Sequence, residues 1–254
     1  MNNLNEGRVV DTPGADNFST VVLGQLSAES TALELAQADS AYFPSHISFP
    51  EEELNTEISL AFRVFEFTST LLLAAIVAPL CLFVSLLLKL QSNGSVLYRQ
   101  VRVGKHGKEF SILKFRTMFE DAESTGPFVC TSYDDDRITP LGQILRKTKI
   151  DELPQLWNIL KGEMALVGPR PERPCFHEEN LRIRDWEKRI YVRPGLTGLA
   201  QISQVIAHDP EKKIVADMAY IRSRSLILDL QIIVLTAFPD IKVFELCSIP
   251  LRRR

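Results

Sequence analysis

Cysteine is scarce in this sequence, and its placement rules out two scaffolds. Four occur in 254 residues, at 81, 130, 175 and 247. None forms a CxxC pair and no histidine stands at zinc spacing, so structural zinc and a disulfide framework are both set aside. The first 60 residues lack lysine and hold a single base, Arg8, against ten acids. This head has neither a basic start nor an apolar core near Met1, so it is no secretory signal peptide. Net charge is only −3, which gives no global reason to expect a nucleic-acid partner. Internal repeats and low-complexity tracts are absent. Apolar residues make up 45% and charged residues 24%, which excludes wholesale disorder.

The modest net charge conceals an asymmetry. Residues 1–60 sum to −9 and the remaining 194 residues to +6. An acidic head on a basic body implies that the body meets an anionic partner. The head reads as a largely disordered extension with a short helix over Ser30–Ala41.

One long apolar run is present. Phe67–Leu88 holds 22 residues without a charge. About 20 apolar residues in a helix cross the ~30 Å hydrocarbon core of a bilayer. A buried helix of a soluble domain is the competing reading, but such helices seldom stay apolar on every face for so long. Pro79 lies mid-run, removes one backbone donor and crowds the preceding turn. The helix is therefore expected to kink and span, or to break and return on the same side. The following flank carries Lys89, Arg99, Arg102, Lys105, Lys108, Lys114 and Arg116. By the positive-inside rule, residues 89–254 are cytoplasmic.

The rest reads as one unit. Ser95–Val103 and Glu109–Met118 are β-rich, with a Gly104–Lys108 hairpin turn between them. Helices are expected over Ile138–Thr148, Leu153–Met164, Phe176–Ile190 and Glu211–Phe238. The stretch 221–238 suits either the membrane interface or a core helix. The expected class is α+β, mainly helical. Its parts are the acidic extension (1–60), a membrane-associated helix (61–92), a catalytic domain (93–240) and a tail (241–254).

Four clusters carry chemistry. In Arg146-Lys147-Thr148-Lys149-Ile150-Asp151-Glu152-Leu153-Pro154, the proline marks a helix start and places Asp151 and Glu152 at it. The helix dipole there keeps an Asp ionised at neutral pH. Such a carboxylate can act as nucleophile while its neighbour holds a hard cation, although plain capping uses the same residues. In Gly168-Pro169-Arg170-Pro171, prolines fix the backbone around a guanidinium that can face phosphate, or simply stiffen a turn. Arg193-Pro194-Gly195-Leu196-Thr197-Gly198 is a small-residue turn that allows close backbone approach to a ligand. Lys114 and Arg116 share one face of a strand. Asp134-Asp135-Asp136 reads as a solvated loop before it reads as a metal site.

Residues 134–172 (DDDRITPLGQILRKTKIDELPQLWNILKGEMALVGPRPE) closely resemble the signature of bacterial sugar transferases, the monotopic phosphoglycosyl transferases. LYRQVRVGKHGKEFSILKFRTM (97–118), RPGLTGLAQI (193–202) and the apolar run with its central proline match in the same order. The resemblance covers about residues 61–238. It implies transfer of a sugar-1-phosphate from a UDP-sugar to undecaprenyl phosphate, with release of UMP and a requirement for Mg²⁺. Asp151 is then the nucleophile, through a covalent phosphosugar, and Glu152 the Mg²⁺ ligand. Arg146 and Arg170, the latter followed by Pro171, hold phosphate oxygens, and Lys114 and Arg116 add further contacts. Arg193, Gly195, Thr197 and Gly198 shape the nucleotide-sugar pocket. Asp217 and Tyr220 match the pattern without a role. The resemblance also implies a re-entrant helix broken at Pro79, the bacterial inner membrane with the catalytic domain on its cytoplasmic face, and a possible homodimer. Family members often carry Ser before that proline, where this sequence has Ala78. Two other readings stand beside transfer: a catalytically inactive membrane-anchored assembly factor, and hydrolysis of nucleotide sugars by the same intermediate.

Overall fold

The computed structural model describes residues 59–92, 94–119, 135–202 and 209–238. The expected helix over Ser30–Ala41 lies outside them. The first element is the apolar helix α1, Leu60–Gln91. Ser59 caps it, its hydroxyl accepting the Phe62 N–H at 3.2 Å. α1 continues through Pro79 as one helix, where the sequence allowed either a kink or a break and the family resemblance implied a break. The lost backbone bond is offset by side-chain packing on both sides of the proline. Val77 before it and Cys81 and Val84 after it all seat against the rest of the protein.

That packing follows one stripe. Glu66, Thr70, Ala74, Val77, Cys81, Val84 and Leu88 recur every third or fourth residue and face the domain. The other faces leave Leu72, Ile76, Leu82, Phe83 and Leu86 exposed. At about 1.5 Å per residue, the stripe covers about 33 Å. One buried ion pair pins its start. Glu66 accepts the Leu166 N–H at 3.0 Å and pairs with Arg193, which also donates to the Met164 carbonyl. Breaking a buried pair strands a charge, so Glu66→Ala should cost about 3 kcal/mol. Thermal unfolding in a mild detergent measures this; an unchanged midpoint would mean that the pair contributes nothing.

The predicted hairpin is present. β1 (Leu97–Val103) pairs antiparallel with β2 (Glu109–Phe115), in the register Leu97↔Phe115 to Val103↔Glu109. The turn is closed by the Gly104 N–H on the Lys108 carbonyl at 2.9 Å. On the other edge of β2, the buried Asn158 side chain substitutes for a strand. It accepts the Leu113 N–H at 3.0 Å and donates to the Ser111 carbonyl at 2.8 Å.

Thr139 and Pro140 start α2 (Pro140–Lys147), with the Thr139 hydroxyl accepting the Gly142 N–H. α2 stops at Lys149, whose φ of 57° is left-handed. There follow a 3-10 helix (Ile150–Gln155) and α3 (Leu156–Leu160), where one helix over Leu153–Met164 was expected. The Phe176–Ile190 helix is likewise two pieces, α4 (Pro174–Asn180) and a 3-10 helix (Trp186–Tyr191). They are separated at Asp185, φ 63°. β3 (Ala165–Val167) and β4 (Gly195–Thr197) form a short parallel pair; β4 lies in a segment read as a turn, and β3 falls between an expected helix and an expected turn.

After the short α5 (Leu199–Ile202), the expected 211–238 helix divides into α6 (Pro210–Ser223) and α7 (Leu226–Ala237). Ser225 caps α7 by accepting the Leu228 N–H. α6 is buried almost throughout, and Trp186, Met218, Tyr220, Ile221 and Ile232 build the main core with Val167. α7 buries Leu228, Ile232 and Leu235 but exposes Ile227 and Leu230. The 221–238 stretch is thus core on one side and apolar surface on the other. Among the described residues, the architecture is mainly helical with two small sheets and one helix long and apolar enough to cross a membrane.

Candidate active site

The left-handed turn at Lys149 redirects the chain from α2 into the 3-10 helix. Asp151 and Glu152 fall in its first turn, against β2. Two cations from distant segments converge on Glu152. Lys114, near the end of β2, places its Nζ 2.7 Å from Oε1, and Arg170 places its Nη2 2.8 Å from the same oxygen. Oε2 has no hydrogen bond among the described residues. Asp151 differs in kind. It is buried, yet its carboxylate accepts no hydrogen bond among the described residues.

The surroundings push these two acids in opposite directions. Burial raises the Asp151 carboxyl above its ordinary 3.8, and the opposing pull of Lys114 and Arg146 does not cancel it. Burial also acts upward on Glu152, but Arg170 and Lys114 outweigh it and hold that carboxyl well below 4.5. Glu152 is a fixed anion. Asp151 is a carboxylate with open lone pairs and raised basicity, which favours nucleophilic attack.

Arg170 is held by its backbone rather than by its side chain alone. The Gly168 N–H donates to the Thr197 carbonyl, and the Gly195 N–H to the Pro169 carbonyl, both at 2.9 Å. Arg189 donates to the Arg170 carbonyl at 2.8 Å, Arg102 to the Pro171 carbonyl at 2.9 Å, and the Val103 N–H to the Glu172 carbonyl at 2.9 Å. Arg189 is itself set by Asp217, at 2.7 Å, which gives Asp217 a structural role. Tyr220 lies in the core with its hydroxyl 2.8 Å from Asp229. Sequence reasoning missed Arg102 and Arg189; nothing in their spacing marks them.

Of the sequence-derived residues, Asp151, Glu152, Lys114 and Arg170 come together. Arg146 is near enough to act on the Asp151 charge, while its Nε donates to Thr117 at 2.9 Å. Arg116 goes elsewhere: its Nη2 lies 2.6 Å from Ser92, at the end of α1. Arg193 is engaged by Glu66, and Thr197 meets Thr236 at 2.6 Å. Gly195 and Gly198 pack against the Gly168 backbone, behind the Arg170 loop. Among the described residues, none of these four bonds to Asp151 or Glu152. Asp135 is taken by Arg137, at 2.7 Å, and is held down to about 2 mainly by that hydrogen bond.

A clamped carboxylate, an open one and an arginine on a braced proline loop are a distinctive combination. The model of the family described as bacterial sugar transferase matches residues 58–242, which include all of them. The chain belongs to the bacterial sugar transferase family. It is 43% identical over 187 residues to the UDP-glucose:undecaprenyl-phosphate glucose-1-phosphate transferase of Caulobacter vibrioides, covering 70% of this chain and 69% of that one. It is 41% identical to the undecaprenyl-phosphate glucose phosphotransferase of Komagataeibacter xylinus, over 68% of this chain and 34% of that protein. A third relative is the UDP-N-acetylgalactosamine-undecaprenyl-phosphate N-acetylgalactosaminephosphotransferase of Aeromonas hydrophila. It is 42% identical over 64% of this chain and 40% of its own length. The chain thus spans about a third of one of these transferases and about two thirds of another. Their names share the acceptor and differ in the sugar.

Proposed function

We propose that this transferase moves a sugar-1-phosphate from a UDP-sugar to undecaprenyl phosphate, with Asp151 as nucleophile. The observation that carries the reading is the contrast between the two carboxylates. Asp151 is open and raised, and Glu152 is clamped and ionised. An Asp151 oxygen attacks the β-phosphorus, the bond to the bridging oxygen breaks, and UMP leaves with the electron pair. An oxygen of the lipid phosphate then attacks the same phosphorus and expels Asp151. The product is a lipid diphosphate sugar, the first intermediate of a surface polysaccharide or glycoconjugate. Three anions meet here, so Lys114, Arg146 and Arg170 offset their repulsion.

The donor set suits Mg²⁺: two hard carboxylates, with Glu152 Oε2 and both Asp151 oxygens free of hydrogen bonds among the described residues. Glu152 would hold the ion, which when bound supplies further charge neutralisation at the diphosphate.

The α1 stripe supports one membrane arrangement over the other. The domain accompanies α1 over about 33 Å, more than a hydrocarbon core is thick. A spanning α1 would carry the domain packed along it, with its polar surface, into hydrocarbon. We infer that α1 instead stays within one leaflet of the inner membrane, with the basic flank and the site on the cytoplasmic side.

The test is UMP release from a panel of UDP-sugars by the full chain in nanodiscs, with and without undecaprenyl phosphate. Lipid-dependent release from one donor supports the reading and identifies the sugar; release indifferent to lipid indicates hydrolysis, and none from any donor overturns it. A pH profile adds a second check. Asp151 must be deprotonated to attack, and its folded value is raised above 3.8, so activity falls as pH drops through that raised value. The acid limb of kcat/KM should therefore lie above the ordinary Asp range. Glu152, held low, should not contribute to that limb.

A further inference from the structure

A second cleft, of about 330 Å³, opens where α1 enters its apolar run, and shares no residue with the carboxylate site. Four cations line it: Arg63 on α1, Lys105 in the hairpin turn, Arg193 before β4, and Arg224 between α6 and α7. Glu66 is the one acid among the lining residues and is committed to Arg193. The lining thus carries a net charge of about +3. Among the described residues, neither Arg63 nor Lys105 belongs to an ion pair. The remaining wall is apolar, Phe67 and Leu160 among it, and Phe67 leads directly into the exposed apolar faces of α1.

A basic mouth beside an apolar helix face matches one ligand class, a phosphate carried on an apolar tail. The exposed apolar faces of α1 beside the cleft supply the surface that such a tail covers and that a free nucleotide would leave bare. We propose that the cleft binds the headgroup phosphate of an anionic glycerophospholipid, and that this contact fixes the depth of α1 in the leaflet. Arg63 and Lys105 take the phosphate oxygens, while the acyl chains run along Phe67 and the outer faces of α1. Of the lining residues only Arg193 is among those that the family resemblance assigns to sugar transfer, and it is engaged by Glu66; the phosphate contacts proposed here use none of them, so the proposal stands or falls separately from that reaction.

The test compares the full-length wild type with Arg63→Ala/Lys105→Ala. Each protein is reconstituted in phosphatidylcholine nanodiscs with and without phosphatidylglycerol. Retained phosphatidylglycerol is counted by native mass spectrometry. A second double variant, Lys108→Ala/Lys161→Ala, removes two exposed bases outside the cleft. The expected result is one phosphatidylglycerol held by wild type and by the Lys108/Lys161 variant. Binding to the Arg63/Lys105 variant should be about thirtyfold weaker, in line with two lost contacts to an anionic surface. Equal loss in both double variants, or loss in neither, overturns the proposal. So does a rise in KM for undecaprenyl phosphate in the Arg63/Lys105 variant with phosphatidylglycerol retention unchanged, which would make the cleft an acceptor site.

Discussion

Asp151→Asn should lower the rate of UMP release by about 10⁴-fold or more, the scale of loss when a nucleophile is deleted from a covalent mechanism. The side chain keeps its size but loses its attacking oxygen charge. Folding should survive, because the Asp151 carboxylate accepts no hydrogen bond in the described structure and burial opposes its ionisation. The comparison that gives the result its meaning is Glu152→Gln. That change leaves Lys114 and Arg170 without their shared anion and should alter stability as well as rate. Rate measured beside thermal unfolding separates the two. If Asp151→Asn kept more than about a hundredth of wild-type turnover, the covalent route through this residue would be wrong.

Gly195→Ala should be the most damaging single-methyl change behind the site. A Cβ there would stand 2.1 Å from the Gly168 nitrogen and 2.3 Å from the Thr197 oxygen, both backbone atoms. Neither can move freely, since the Gly168 N–H donates to the Thr197 carbonyl at 2.9 Å. Overpacking of this kind costs about 3 kcal/mol. The displaced strand also carries Arg170 away from Glu152, so turnover should fall together with the unfolding midpoint. Gly162→Ala is the control. Its φ of 78° makes alanine strained, but no atom lies within 4 Å of the added carbon. A loss of about 1 kcal/mol is expected there, with catalysis unaffected. Equal effects at the two glycines would contradict the close-packing account.

What the sequence disclosed was local. The hairpin was readable because two β-rich runs flank a glycine-bearing turn. Asp151, Glu152 and Arg170 were readable because prolines mark their backbone. The rest depends on partners far apart in the chain. Glu66 and Arg193 are 127 residues apart, and Arg102 meets Pro171 across 69. Three-residue strands such as β3 and β4 are too short to show any alternation. Asp185 adopts left-handed backbone that ordinary residues seldom choose, so the helix read as continuous over Phe176–Ile190 is cut there. The small residues of the 193–198 turn were legible as allowing close approach, but to a ligand rather than to the protein's own backbone. The turn's partner, the Gly168 backbone, was not.

The α1 stripe has a consequence for how this protein comes into being. Phe110, Ile112, Phe115 and Leu145 are buried in clusters that α1 completes. Anchor and enzyme therefore share one core, and the anchor is no interchangeable tether. A chain cut after Gln91 would present that core to water and aggregate rather than yield a soluble catalytic fragment. Insertion and folding become a single linked equilibrium, in which each supplies part of the other's driving force. A bilayer that grips α1 more tightly raises the unfolding temperature of the whole catalytic domain, and a detergent that strips α1 away denatures the active site with it.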